Sequence, residues 1–151
     1  MSNKESIQRF FCLQEERVKT YQTFHSGFKE YLETAPARDF PSYRQLVHSV
    51  TQTFNNISNE VITIESKLRE SGQSNIADLI RKIQIKEKEK LEVTAKLQIA
   101  EQNAAGIDSL DPTTTEEAVA HKLSLNKLVD DIVELLDELK FEAEDILLLD
   151  T

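Results

Sequence analysis

The residues best suited to recognition chemistry stand together in Asp39-Phe40-Pro41-Ser42-Tyr43-Arg44, with His48 close behind. Aromatic and arginine side chains dominate the energetics of protein interfaces, and this stretch supplies two aromatics and an arginine beside a proline. The same residues also make a folding signature. Phe40 suits a hydrophobic staple at a helix start, and Arg44 suits an ion pair with Asp39. Both readings stay open on the residues alone.

Carboxylates are the other abundant chemistry. Residues 130–151 hold nine acidic side chains and one basic, Lys140, within a chain of net charge −9. A basic partner or a cation fits there, and a solvated outer face is the simpler account. Glu134 with Asp137 and Glu138, and Glu142 with Glu144 and Asp145, offer only loose metal spacing. No Glu-x-x-His pair accompanies them, as a di-metal bundle requires. His25, His48 and His121 fall on three different helical segments without zinc-ligand spacing. His121 reads as a core or boundary histidine. There is no Gly-x-Ser-x-Gly, no Cys-His arrangement and, with three glycines in all, no phosphate-cradling loop. The expectation is a non-enzymatic chain with no cofactor.

Nucleic acid is a poor match to this charge balance, because phosphate binding needs a basic footprint. Arg81, Lys82, Lys86, Lys88 and Lys90 form the one basic cluster, diluted by Glu87 and Glu89. A solvated helix face with i, i+4 pairing accounts for it as simply as a phosphate contact. The single Cys12 excludes an internal disulfide and fits a reducing compartment. It reads as a small apolar filler on the first helix, or as a reactive thiol. The first residues lack a signal-peptide core, and no apolar run approaches the roughly 20 residues that span a bilayer. A soluble protein of the cytoplasm or nucleus, not secreted, is expected.

The elements that position these groups follow from periodicity. Tyr43, Val47, Val50, Phe54, Ile57, Val61, Ile64 and Leu68 alternate at spacings of four and three, a heptad stripe along one helix face. A first helix carries Ile7, Phe11, Val18, Tyr21, Phe28 and Tyr31, widened by Phe10, Phe24 and Leu32 and interrupted by Gln14. Gly27 in its interior marks a close helix approach, a bend or a tolerated surface site. The third stripe, Ile76, Leu79, Ile80, Ile83, Leu91, Thr94 and Leu97, is thinner, with an all-charged run from Lys86 to Lys90. The last runs through Ala118, His121, Leu125, Leu128, Ile132, Leu135, Leu139 and Ile146, broadened by Val129, Val133 and Leu136.

Glycine, proline and capping residues set the boundaries. Ser2 or Ser6 starts the first helix, and Pro36 breaks the chain after it. Pro41, or a capping box of Ser42 and Gln45, starts the second, and Gly72 ends it. Ser74 or Asn75 caps the third, which reaches about Ala105 before Gly106. The fourth follows Asp111-Pro112 with Thr113, Thr114 or Thr115 as cap. Helices over about 4–33, 42–70, 75–105 and 114–147 make one all-α domain, each element roughly 45 Å long at 1.5 Å per residue. An up-down-up-down antiparallel bundle is expected, with paired helical hairpins in coiled-coil packing as the rival. The hairpin rival completes its core with another chain, so homo-oligomerisation is compatible with the pattern.

One linked pattern is more specific. Leu13-Gln14-x-Glu16-Arg17, then Tyr31-Leu32, then Asp39-Phe40-Pro41-x-Tyr43-Arg44-x-x-Val47-His48-x-Val50-Thr51-Gln52-x-Phe54 closely resembles the required-for-excision DNA-repair family, type B. Leu139-Lys140-Phe141-Glu142-Ala143-Glu144 is similar to that family's closing motif. The resemblance covers most of the chain, is strongest over residues 13–65, and is faint in the third helix. It implies a role in excision repair of damaged DNA, hence nuclear work. It brings no catalytic residues and no cofactor. It makes Asp39, Phe40, Pro41, Tyr43, Arg44 and His48 a candidate partner surface.

The function expected is therefore a helical adaptor acting through protein–protein contacts in a repair assembly, without a membrane. The alternative is a structural coiled-coil subunit of a cytoskeletal or ciliary assembly. Direct single-strand DNA binding through the Arg81 to Lys90 face is the third class.

Overall fold

A computed structural model describes residues 1–34, 39–104 and 112–149. Among the described residues the chain is all-α, with four long helices and a short one: α1 (Asn3–Glu33), α2 (Phe40–Glu70), α3 (Ser74–Ala104), α4 (Pro112–Glu142) and α5 (Glu144–Leu147). Pro36 with its neighbours 35–38, and Ala105, Gly106 and Asp111, lie outside the described residues. The chain divides into two compact units, Met1–Arg81 with Glu138–Thr151, and Lys82–Asp137.

In the first unit α1 and α2 run antiparallel. Asn3 meets Ser71, Arg17 meets Ser58, Tyr21 meets Phe54, and Tyr31 meets Tyr43. The α2 stripe is buried from Val50 through Phe54, Ile57, Val61 and Ile64 to Leu68, with Tyr43 and Val47 half-buried at its start. On α1 the buried line differs from the apolar reading. It follows Ile7, Phe10, Gln14, Arg17, Tyr21, Phe24, Phe28 and Tyr31, an unbroken heptad in which two positions are polar. Phe11 is only half-buried and Val18 is 53% exposed. Gln14 therefore continues the seam instead of interrupting it. Hydropathy alone follows the wrong flank of α1, because a polar pair that satisfies itself can fill a core position. Each fully buried Phe, Ile or Leu of this seam contributes about 1.5–3 kcal/mol.

Local signals set the ends. Ser2, not Ser6, caps α1 by accepting from the Glu5 N–H at 3.1 Å, and Ser6 is buried inside the helix. Asp39 caps α2 by accepting from the Ser42 N–H at 3.2 Å. Pro41 thus sits in the first turn behind Phe40, and Ser42 and Gln45 form no capping box. After Ser71, Gly72 takes φ +85°, its N–H donating to Arg69 O and that of Gln73 to Leu68 O. This is a Schellman motif, which needs a residue free of the Cβ penalty at positive φ. Arg69 with Asp78 at 2.8 Å and Arg81 with Glu65 at 3.6 Å then lay the start of α3 back along α2. Ile76, Ala77, Leu79 and Ile80 are buried there.

The last residues belong to the same unit. Leu139 and Ala143 are fully buried, α5 packs on α1, and Lys4 Nζ donates to Leu149 O at 2.6 Å. Gly27 proves to be a close approach. A Cβ built there would collide with Leu46 Cδ2 and lie 3.2 Å from Leu46 Cγ. Cys12 is exposed, so it is not a core filler.

The second unit contains the rest of α3 and most of α4. Ile83, Leu97, Ala100, Leu128 and Ile132 are its buried apolar residues, and Glu87, Thr94 and Gln98 are buried with them. The charged run of α3 is used for pairing: Lys86 meets Asp131 at 3.4 Å, and Asp131 also binds Lys127. The heptad of α3 therefore passes through Glu87, as that of α1 passes through Arg17. α4 starts at Pro112, so Thr113, Thr114 and Thr115 lie within the helix, past its start. His121 is a half-buried boundary residue. Val129 and Val133 do not widen the buried face; both are exposed, and only Leu136 is half-buried.

Two outcomes test these boundaries and pairs. Gly72→Ala should lower stability by about 1–2 kcal/mol, because an L side chain is disfavoured at positive φ, and Gly72→Asn should lower it less. Urea unfolding followed by circular dichroism measures both. Arg9 pairs with Glu60 through both carboxylate oxygens. The Arg9 hydrogen bond holds the Glu60 carboxyl below its usual range. That contribution is complete above the ordinary carboxylate pKa and is lost as pH falls through the lowered folded value. Glu60→Gln should therefore flatten the fall in stability between about pH 5 and 3, as midpoints at stepped pH would show.

Candidate functional site

Thr34 and Asp39 lock the entry to α2. The Thr34 hydroxyl donates to Tyr31 O at 2.7 Å and accepts from the Asp39 N–H at 3.2 Å. The Asp39 carboxylate then faces the first turn of α2, where it satisfies an orphan N–H and complements the helix dipole. Capping occupies Asp39, which makes no ion pair with Arg44 among the described residues.

From this fixed start the helical period sorts the candidate residues. Tyr43 turns inward. Its ring stacks on Tyr31 at 4.4 Å and 16° and lies 5.8 Å from Phe28. Burial first, and the neighbouring Tyr31 second, push the Tyr43 hydroxyl above its ordinary value. Phe40, Arg44 and His48 follow at i, i+4 and i+8 on the outer face, all exposed, with Phe40 at 54%. As the first helical residue Phe40 lies past the staple position, and it is not packed as one. Phe40, Pro41, Arg44, Gln45 and His48 line one open hollow of about 440 Å³.

The six residues therefore divide. Asp39 and Tyr43 hold the fold, while Phe40, Pro41, Arg44 and His48 share a surface with Gln45. That surface combines an aromatic face, a proline ring, a guanidinium and an imidazole, which suits a peptide or loop and contains no nucleophile–base pair. Gln45 is the member that reading the motif missed. Its position beside Pro41, one turn on, is the signal that finds it.

Other sequence candidates take different places. The motif pair Gln14 and Arg17 is buried, with Arg17 donating to Gln14 Oε1 and to Ser58 Oγ at 3.5 Å. Arg81 and Lys86 of the basic cluster are committed to Glu65 and Asp131. Among the described residues no group of three His, Cys, Asp or Glu side chains gathers as metal ligands, and no helix is long and apolar enough to cross a membrane.

The division is measurable. Tyr43→Ala should cost about 1–3 kcal/mol through lost burial and aromatic contact, lowering Tm by several degrees. Arg44→Ala should stay within about 0.5 kcal/mol of the parent chain. Equal losses in differential scanning calorimetry would place Arg44 in the fold.

The comparisons with known proteins agree with the motif. The family described as DNA repair REX1-B matches residues 5–101, which span α1, α2 and nearly all of α3. A Bos taurus relative, "Required for excision 1-B domain-containing protein", is 33% identical over 145 residues, covering 93% of this chain and 77% of its own. A Mus musculus protein of the same description is 34% identical over 139 residues, covering 91% of this chain and 79% of its own. No solved structure matches. With about two thirds of its length matched by the family and nine tenths by each mammalian relative, the chain belongs to the DNA repair REX1-B family.

Proposed function

We infer that this protein is a non-enzymatic helical adaptor of excision repair, engaging another repair protein through the outer face at the start of α2. The observation that carries this reading is the division of the Asp39 to His48 motif. Asp39 and Tyr43 account for folding, whereas Phe40, Pro41, Arg44 and His48 gather on an exposed hollow that the seam does not use. An exposed aromatic beside an arginine is the composition of an interface hot spot. The family's name supplies the process, DNA repair.

Charge supports a protein partner over DNA. Net charge is −9, and two members of the basic cluster already meet carboxylates. An adaptor of this kind works in the nucleus and needs no cofactor. The relatives described above lend no support to the cytoskeletal or ciliary alternative.

The test is affinity purification from cells before and after DNA damage, comparing the parent chain with Phe40→Ala/Arg44→Ala/His48→Ala. Excision-repair proteins should be enriched with the parent and fall at least several-fold with the variant, whose Tm should be unchanged. Recovery indifferent to both damage and substitution would overturn the reading.

A further inference from the structure

The closing segment carries a second surface, at the other end of α1. Phe141 is 75% exposed and Leu148 is 73% exposed. Neither faces outward because the segment is loose. Leu139 and Ala143 are fully buried beneath them, and Lys4 holds the carbonyl of Leu149 at 2.6 Å. Hydrogen bonds from Ala143 N–H to Leu139 O, Leu147 N–H to Ala143 O and Leu148 N–H to Glu144 O carry a helical path through the junction of α4 and α5. Along that path Glu138, Phe141, Asp145 and Leu148 recur at spacings of three, four and three, so they share one outer ridge, with Glu144 beside Asp145. Phe141 and Leu148 are then roughly 10 Å apart along the axis.

The charge of this ridge is one-sided. Glu138, Glu142, Glu144 and Asp145 are all exposed. Lys140 is the one basic residue of 138–149, and its ammonium lies over the Phe11 ring, 5.8 Å from the centroid, on the supporting side. The nearby Lys4 ammonium is taken by Leu149 O. What the ridge presents is two apolar knobs, Phe141 and Leu148, set among carboxylates, with Leu149 also exposed beside Leu148.

We propose that this ridge docks a basic amphipathic helical segment of a partner protein, whose apolar stripe receives Phe141 and Leu148 while its lysines and arginines meet Glu138, Glu144 and Asp145. Covering the knobs removes apolar surface from water, and the carboxylates desolvated with them need cationic partners in register. DNA and an anionic bilayer repeat the ridge's own charge. A second copy docked symmetrically would set the same carboxylates against one another. Each of those occupants is electrostatically disfavoured. The inference stands apart from the Phe40 hollow, since Phe11 and Phe28 are separated by roughly 25 Å of α1.

The experiment titrates the full chain with a designed helical peptide of about 20 residues, bearing a leucine stripe flanked by lysines (three to four turns of seam suffice for packing). A control peptide keeps every lysine and replaces each leucine by serine. Binding is read by fluorescence anisotropy at low and high salt and mapped by amide chemical shifts. The amphipathic peptide should bind saturably, with shifts concentrated in residues 138–149 and at least tenfold tighter than the control. Phe141→Ala/Leu148→Ala should weaken it at least tenfold. Glu144→Gln/Asp145→Asn should weaken it and reduce the salt dependence, with circular dichroism unchanged in both variants. Equal affinity for both peptides, or shifts centred elsewhere, would overturn the proposal. So would a concentration-dependent dimer abolished by Phe141→Ala/Leu148→Ala, or saturable binding of a DNA duplex or an anionic vesicle at these same residues.

Discussion

The antiparallel seam between α1 and α2 is the constraint on which the first unit rests. Most of the stability of either helix comes from packing its apolar face against a partner rather than from propensity. Burying Ile7, Phe10, Tyr21, Phe24 and Phe28 against Val50, Phe54, Ile57, Val61, Ile64 and Leu68 supplies that partner over the whole length of both. The seam tolerates Gln14 and Arg17 because the guanidinium finds Gln14 and Ser58, so its charge is not left bare inside. It also sets how near the helices come. At Gly27 the backbone of α1 approaches Leu46 so closely that a methyl group there would displace it.

The exposed face at the start of α2 is a consequence of that seam. Stacking of Tyr43 on Tyr31 fixes the rotation of α2 about its axis, and the Thr34–Asp39 bond fixes where the helix starts. Once rotation and start are set, positions 40, 44 and 48 have no choice but to face outward together. Within this one motif the inward residues orient the outward ones.

Charge is distributed by the same logic. Carboxylates that meet cations across helices, such as Glu60, Glu65 and Asp131, hold the elements in register. Those left outward, such as Glu138, Glu142, Glu144 and Asp145, contribute little to the fold and a great deal to the field a partner meets. The one lysine of the closing segment, Lys140, lies over an aromatic ring on the supporting side, and Lys4 of α1 is taken by a backbone carbonyl. The outer ridge keeps a single sign.

Much of this was legible in the residues. Strict heptad alternation in α2, Gly72 at its end and Ser2 at the start of α1 are local signals, and each acts where it was read, because a helix face and a cap depend on near neighbours in the chain. The family was also legible, since its motif lies in consecutive positions. What periodicity misjudged were positions whose burial depends on a distant partner. Gln14, Arg17 and Glu87 look like surface residues until the opposing helix is in place, while Val18, Val129 and Val133 look like core until it is placed elsewhere. The same holds for the candidate site. Sequence alone determined that Asp39, Phe40, Pro41, Tyr43, Arg44 and His48 stand together in the chain; only the tertiary structure decided which of them pack into the fold and which are left exposed, because that depends on where α1 lies across from α2.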